Sequence, residues 1–399
     1  MIHARFFSVT SILLFSGFLL CSISTTSFGQ IFFTVDSIAL FTAGENGYNT
    51  YRIPAVVQAT DGSLLAFCEG RKSGRGDAGN IDIVMKRSTD GGQTWGSQVV
   101  LWDDGSNTCG NPCPVVDQIT GEIFLLLTHN LGHDHESAII HKTAESTRTV
   151  WVMSSKDHGL TWSEPRDITS TTKDPDWGWY ATGPGNGIQI QHGPRKGWLV
   201  IPCDHSYDDE NGNVRGGPFE YGSHTIFSKD HGRTWEMGGV IRPRVNECQV
   251  VEIGTGNAAN GTLLMNMRSY FGEMRRTHAV SYDGGLSWTE PQRVDELVEP
   301  VCQASIIRHD YLNTSNNSFI LFSNPASTNR RHNMSIRVSK DEGKSWPLIQ
   351  TIHAGPAAYS SMVALPGQIG VLYEAGVKDP YEAIIFHILS VRDRAIFRN

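Results

Sequence analysis

The sequence predicts an all-β protein, a six-bladed β-propeller of four-stranded antiparallel sheets, from three observations. An octet of the form S-x-D-x-G-x-[ST]-W occurs five times, at residues 88–95, 155–162, 228–235, 281–288 and 339–346. Its aspartates, Asp90, Asp157, Asp230, Asp283 and Asp341, follow one another at intervals of 67, 73, 53 and 58 residues, which is the signature of a structural repeat with variable loops. Short apolar or alternating runs flank the octets, and the 41 glycines and 10% aromatic residues suit many short strands joined by tight turns. Radial repetition of four-stranded sheets is the β architecture that fits this period, and about 370 residues at ~63 per unit make six blades.

Each element follows from local chemistry. Within an octet the Asp can accept hydrogen bonds from turn amides, the Gly supplies a positive-φ position, and the Trp can pack between neighbouring sheets. The octets are therefore scaffolding. Runs such as 81–86, 123–128, 197–202, 263–267 and 319–322 read as strands. One blade carries no octet, and the expectation is that 348–390 combines with a strand near 38–41, closing the ring by pairing the two ends of the chain.

The first 29 residues are set apart. His3 and Arg5 precede an apolar run, 6–20, that is short for a membrane span, and Ser27-Phe28-Gly29 offers a small-x-small cleavage site before Gln30. This reads as a signal peptide and predicts a secreted or periplasmic protein, with 30–399 forming a single domain. Cys21 raises a lipid anchor as the alternative, but Leu20 stands where that motif wants a small residue. The other cysteines, Cys68, Cys109, Cys113, Cys203, Cys248 and Cys302, are scattered, mostly in apolar runs, and are expected to be buried free thiols. A formal net charge of -8 excludes a nucleic-acid binder that relies on a basic surface, so an anionic ligand would need a local cationic cluster. His129, His133 and His135 with Asp134 share one polar loop without a distant partner set, so no metal is expected.

The octets, together with Tyr51-Arg52-Ile53-Pro54 upstream of the first, resemble the bacterial and animal exo-α-sialidases, with their repeated Asp-boxes and single [FY]-R-I-P motif. The resemblance covers nearly all of 30–399 and implies a propeller with its site near the central axis. The implied substrates are sialylated glycans, and no cofactor or metal is implied. A sialoside carries a carboxylate on its anomeric carbon, which calls for permanently charged, forked cations. The resemblance implies Arg52, Arg268 and Arg331, with Arg330 the adjacent alternative on the opposite strand face.

That same carboxylate disfavours an anionic nucleophile, whereas a phenol relieved of its proton as the bond forms avoids the repulsion. Tyr359 is the implied nucleophile and Glu247 its base, with Glu252 the rival at an odd offset. In the loop 69–77, Asp77 is the implied proton donor, with Asp82 the competing carboxylate. Arg71 is implied in substrate contact and in holding the loop. Glu374 matches an acid that braces the first arginine. Trp179 and Tyr180 belong to a loop implied to shape the pocket rim. The expected activity is removal of terminal α-linked sialic acids with retention. A trans-sialidase, or a non-catalytic sialoside-binding propeller, is the alternative.

Overall fold

The computed structural model describes residues 32–254, 260–310 and 318–391. The expected signal segment 1–29 lies outside the described residues. Six four-stranded antiparallel units follow one another around an axis, in the order predicted. Blade 1 consists of Thr50–Gln58, Leu64–Arg71, Ile81–Ser88 and Val99–Trp102. Blade 2 consists of Thr108–Val116, Ile123–Asn130, Thr149–Ser155 and Arg166–Asp167.

In blade 3 the innermost strand is broken into Tyr180–Thr182 and Ile188–Gln189, which share the partner Leu199–Asp208, followed by Phe219–Ser228 and Glu236–Ile241. Blade 4 is Val245–Ile253, Thr262–Ser269, Arg275–Ser281 and Gln292–Val298. Blade 5 begins with Ser305–Asp310, Ser318–Pro325 and His332–Ser339.

The closure differs in one respect from the expectation. Leu348–Leu365 is a single long strand that pairs through residue 356 as the outer strand of blade 5, then from residue 357 as the inner strand of blade 6. Blade 6 is completed by Gln368–Ala375, Ala383–Val391 and the N-terminal strand Phe32–Thr42, so both ends of the described chain lock one sheet.

The octets behave as their chemistry requires. In the first, the Ser88 hydroxyl donates to Asp90 (2.8 Å) and accepts from the Gly92 amide (2.9 Å), while Asp90 accepts from the Thr94 amide (2.9 Å). Gly92 and Gly159 have φ of 93° and 85°, where a Cβ would be strained, and each turn then delivers its Trp to the preceding blade. Trp95 meets Phe386 edge-on at 5.1 Å, Trp162 meets Phe67 at 5.8 Å and Trp235 meets Phe124 at 6.0 Å. The cores consequently lie between blades. The six cysteines among the described residues are buried free thiols, five of them in strands and Cys302 in the segment before Ser305–Asp310.

Inner strands run in one direction, so their starts cluster at one axial mouth and their ends at the other. Between the mouths the axis is closed by amides: Gln249 and Gln303 both donate to the Pro184 carbonyl (3.1 and 3.0 Å), and Asn186 donates to the Val56 carbonyl (2.7 Å). The pocket at the strand starts thus has a hydrogen-bonded floor.

Candidate active site

Two sets of positions open into that mouth: the beginnings of inner strands and the ends of second strands. Arg71, Arg268 and Glu374 stand at or next to the last residue of second strands in blades 1, 4 and 6. On inner strands, Arg52 borders the register shift between Arg52 and Ala55, and Glu247 and Tyr359 lie inside those between Val245 and Cys248 and between Ala357 and Ser360. A β-bulge adds a residue and re-aims its neighbours, so the pleat is broken at each functional position. The result is a cavity of about 210 Å³ lined by Arg52, Arg71, Asp77, Glu247, Arg268, Arg331, Tyr359 and Trp179, among others.

The phenol of Tyr359 donates a short hydrogen bond to Glu247 Oε1 and lies 3.5 Å from Arg268 Nη1. Arg268 Nη1 also donates to Glu247 Oε2 at 2.7 Å. The guanidinium carbons of Arg52 and Arg331 sit 4.9 and 5.3 Å from the Tyr359 ring centre. Three cations therefore surround one phenol. Burial, and then the Glu247 carboxylate, push the Tyr359 hydroxyl well above the ordinary phenol range, against the opposing pull of Arg268, Arg331 and Arg52. The free protein thus holds a neutral phenol already bonded to a base.

Glu374, fully buried, accepts from Arg52 Nε (2.7 Å), the Ile53 amide (2.9 Å) and the Tyr359 amide (3.1 Å). It braces the first arginine from behind and does not line the pocket. Arg71 is held by Glu69 through Nε (2.9 Å) and Nη2 (2.5 Å), and reaches Asp77 at 2.9 Å. The Asp77 side chain is 57% exposed at the rim. Although partial burial would raise it, Arg71, Arg52 and Arg148 hold its carboxyl below the usual range.

The rivals are separated. Glu252 lies at the opposite mouth, where it accepts from the Gln191 amide (2.7 Å). Asp82 is buried under Tyr48, whose hydroxyl donates to it at 2.6 Å, and Arg330 is exposed. One expectation requires correction. Tyr180 is buried away from the pocket, its hydroxyl donating to the Thr172 carbonyl (3.2 Å), because the extended backbone entering Tyr180–Thr182 turns Trp179 to the cavity and Tyr180 to the core. Neighbouring Trp177 is likewise packing, stacked on His205 at 3.6 Å.

Sequence reasoning missed several wall residues. Arg148 is buried, stacks on Trp179 at 4.0 Å and donates to Asn111 (2.5 Å) and Asn130 (2.5 Å); burial drops its guanidinium to about 10. Asp204 bonds Asn246 (2.8 Å) through one oxygen while its other oxygen, buried, has no hydrogen-bond partner among the described residues. Its cross-strand partner Ala181 is too small to cover it. Burial, reinforced by Glu247, pushes its carboxyl well above the normal range. Glu136, Tyr221 and Arg215 form a further hydrogen-bonded wall. None has a local motif, whereas the lining residues Ile53, Glu69 and Asn246 stood beside or within segments already singled out.

Fold and site together define an Asp-box β-propeller with an arginine-ringed phenol at its axis. Residues 62–371 match the family described as BNR repeat-like domain. The chain is 34% identical over 360 residues to a sialidase of Micromonospora viridifaciens, covering 87% of this chain and 53% of that protein. It is 30% identical to mouse Sialidase-2, covering 87% of this chain and 93% of that one. The structure of Hadza microbial sialidase Hz136 superposes with a TM-score of 0.77 at 31% identity, covering 89% of this chain and 68% of the other. The chain belongs to the sialidase family. It spans about half the length of the Micromonospora relative and nearly all of the mouse one.

Proposed function

We propose that this chain is an exported exo-α-sialidase that releases terminal sialic acids from glycans with retention of configuration. The observation that carries the reading is the Tyr359–Glu247 hydrogen bond enclosed by Arg52, Arg268 and Arg331. The three guanidiniums receive the sugar carboxylate. Asp77 gives its proton to the departing glycosidic oxygen while Tyr359 Oη bonds to the anomeric carbon and Glu247 takes the phenolic proton. Water then attacks the same carbon, Asp77 accepts its proton, and the phenolate leaves and recovers its proton from Glu247. Two inversions give retention.

The depressed Asp77 carboxyl fits this sequence. Of the arginines that hold it down in the free protein, Arg52 is also one of the three that receive the incoming carboxylate, so binding relieves that part of the pull and moves Asp77 toward its protonated form. A sialyl transferase reaction would use the same residues, with an acceptor hydroxyl replacing water. Release of a fluorogenic aglycone from its α-sialoside tests the reading, and proton NMR of the first-formed product tests retention. No release from the folded protein would favour a sialoside-binding propeller instead. N-terminal sequencing of the exported chain tests cleavage before Gln30.

A further inference from the structure

Tyr381 takes no part in the chemistry above and does not line the pocket, yet it touches both halves of it. It lies in the turn between Gln368–Ala375 and Ala383–Val391. Its ring centre is 4.2 Å from the Arg52 guanidinium carbon, which lies over Tyr359 as well. Its hydroxyl accepts a hydrogen bond from Arg331 Nη1 at 2.8 Å. Its ring also lies 5.6 Å from the guanidinium of Arg75, a residue of the loop that carries Asp77.

The turn is built to hold that ring still. The Glu382 carboxylate gathers the amides of Val377 (3.0 Å), Lys378 (2.8 Å) and Asp379 (3.0 Å). Asp379 accepts the Tyr381 amide through Oδ1 (3.0 Å) and Arg75 Nη1 through Oδ2 (2.9 Å). The Asp77 loop is thus pinned from inside by Arg71, which donates to the Arg75 and Gly76 carbonyls (2.5 and 3.0 Å), and from outside by Asp379 and Tyr381.

We propose that Tyr381 is a positioning residue that couples the arginines reading the substrate carboxylate to the loop presenting the proton donor. The proposal rests on the sialidase reading above. Reacting groups lose rate steeply when displaced by about 1 Å, so one ring serving both halves aligns the carboxylate clamp with the acid.

Leaving groups separate this role from simple stabilisation. A 4-nitrophenyl sialoside expels an acidic phenol with little need of a proton, whereas sialyllactose expels a sugar alkoxide that needs one. In the full chain, Tyr381→Phe keeps the ring and loses the bond to Arg331. It should raise KM about 3- to 10-fold on both substrates and leave the ratio of their kcat values unchanged. Tyr381→Leu should lower kcat on sialyllactose about tenfold more than on the aryl sialoside. Asp379→Asn, which frees Arg75 but keeps the acceptor for the Tyr381 amide, should shift the same ratio about 2- to 5-fold.

Equal losses on both substrates in Tyr381→Leu, or an unchanged ratio in Asp379→Asn, would overturn the coupling. If Tyr381→Leu does not fold by circular dichroism, the ratio in Asp379→Asn decides alone. Failure of the unmodified protein on both substrates would instead sink the sialidase reading.

Discussion

Replacing Glu374 tests how the pocket holds its charges before any ligand arrives. The side chain is fully buried and accepts from Arg52 and from the amides of Ile53 and Tyr359. Glu374→Ala would leave Arg52 buried without its counter-charge, at about 3–5 kcal/mol for a broken buried pair, and would strand the two amides. That is comparable to the 5–15 kcal/mol stability of an ordinary domain, so global unfolding would obscure function. Glu374→Gln is the sharper perturbation: it keeps the shape and one acceptor oxygen, removes the charge, and turns an NH2 donor toward the N–H that the other oxygen served. We expect it to lower unfolding free energy by about 2–3 kcal/mol, the worth of charge-assisted bonds lost. Urea denaturation followed by tryptophan fluorescence would read this as a lower midpoint at constant slope. Because Arg52 loses its brace, KM for a sialoside should rise about 10-fold or more. An unchanged midpoint together with a KM within twofold of the parent would refute the bracing argument.

Tyr359→Phe should reduce turnover at least about a thousandfold while binding of free sialic acid, followed by calorimetry, stays within a few fold. Asp77→Ala should lower kcat on sialyllactose about 10²- to 10⁴-fold and spare an activated aryl sialoside, and it should abolish the fall of sialyllactose turnover toward alkaline pH, measured in paired pH profiles. Asp204 has a raised carboxyl, so the folded state binds its proton more tightly than the unfolded chain. Its stabilising contribution is present below the ordinary Asp range and is lost as pH rises toward the folded value. Asp204→Asn should therefore gain thermal stability relative to the parent as pH increases, and a difference in melting temperature that does not vary with pH would contradict it.

What the sequence made legible follows physical locality. An Asp-box is complete within eight residues, since the side-chain hydrogen bonds that join Ser88, Asp90, Gly92 and Thr94 all fall inside it, so the repeat and the blade count could be read directly. The arginines and Tyr359 were found through motifs. Their geometry was not predictable from strand alternation, because bulges at Arg52, Glu247 and Tyr359 reset which face each residue takes. At Trp179 and Tyr180, where no bulge intervenes, successive side chains take opposite faces, so only one of the two could reach the pocket. Arg148 and Asp204 left no trace in local sequence: each becomes part of the pocket only through neighbours on other strands, Asn111 and Trp179 for the one, Ala181 and Asn246 for the other. Tyr381 matters only because three separate segments, those of Arg52, Arg75 and Arg331, meet around its turn.

The covalent step at Tyr359 is the centre of the account, and trapping it is the most direct measurement. Incubation with a 3-fluoro-sialosyl fluoride, which forms the glycosyl-enzyme quickly and loses it slowly, should add one fluorosialyl mass to the intact protein. Peptide mapping should place it on the segment containing Tyr359. An adduct on Glu247 or another residue, or inversion at the anomeric carbon with no adduct during active turnover, would contradict the phenol as nucleophile.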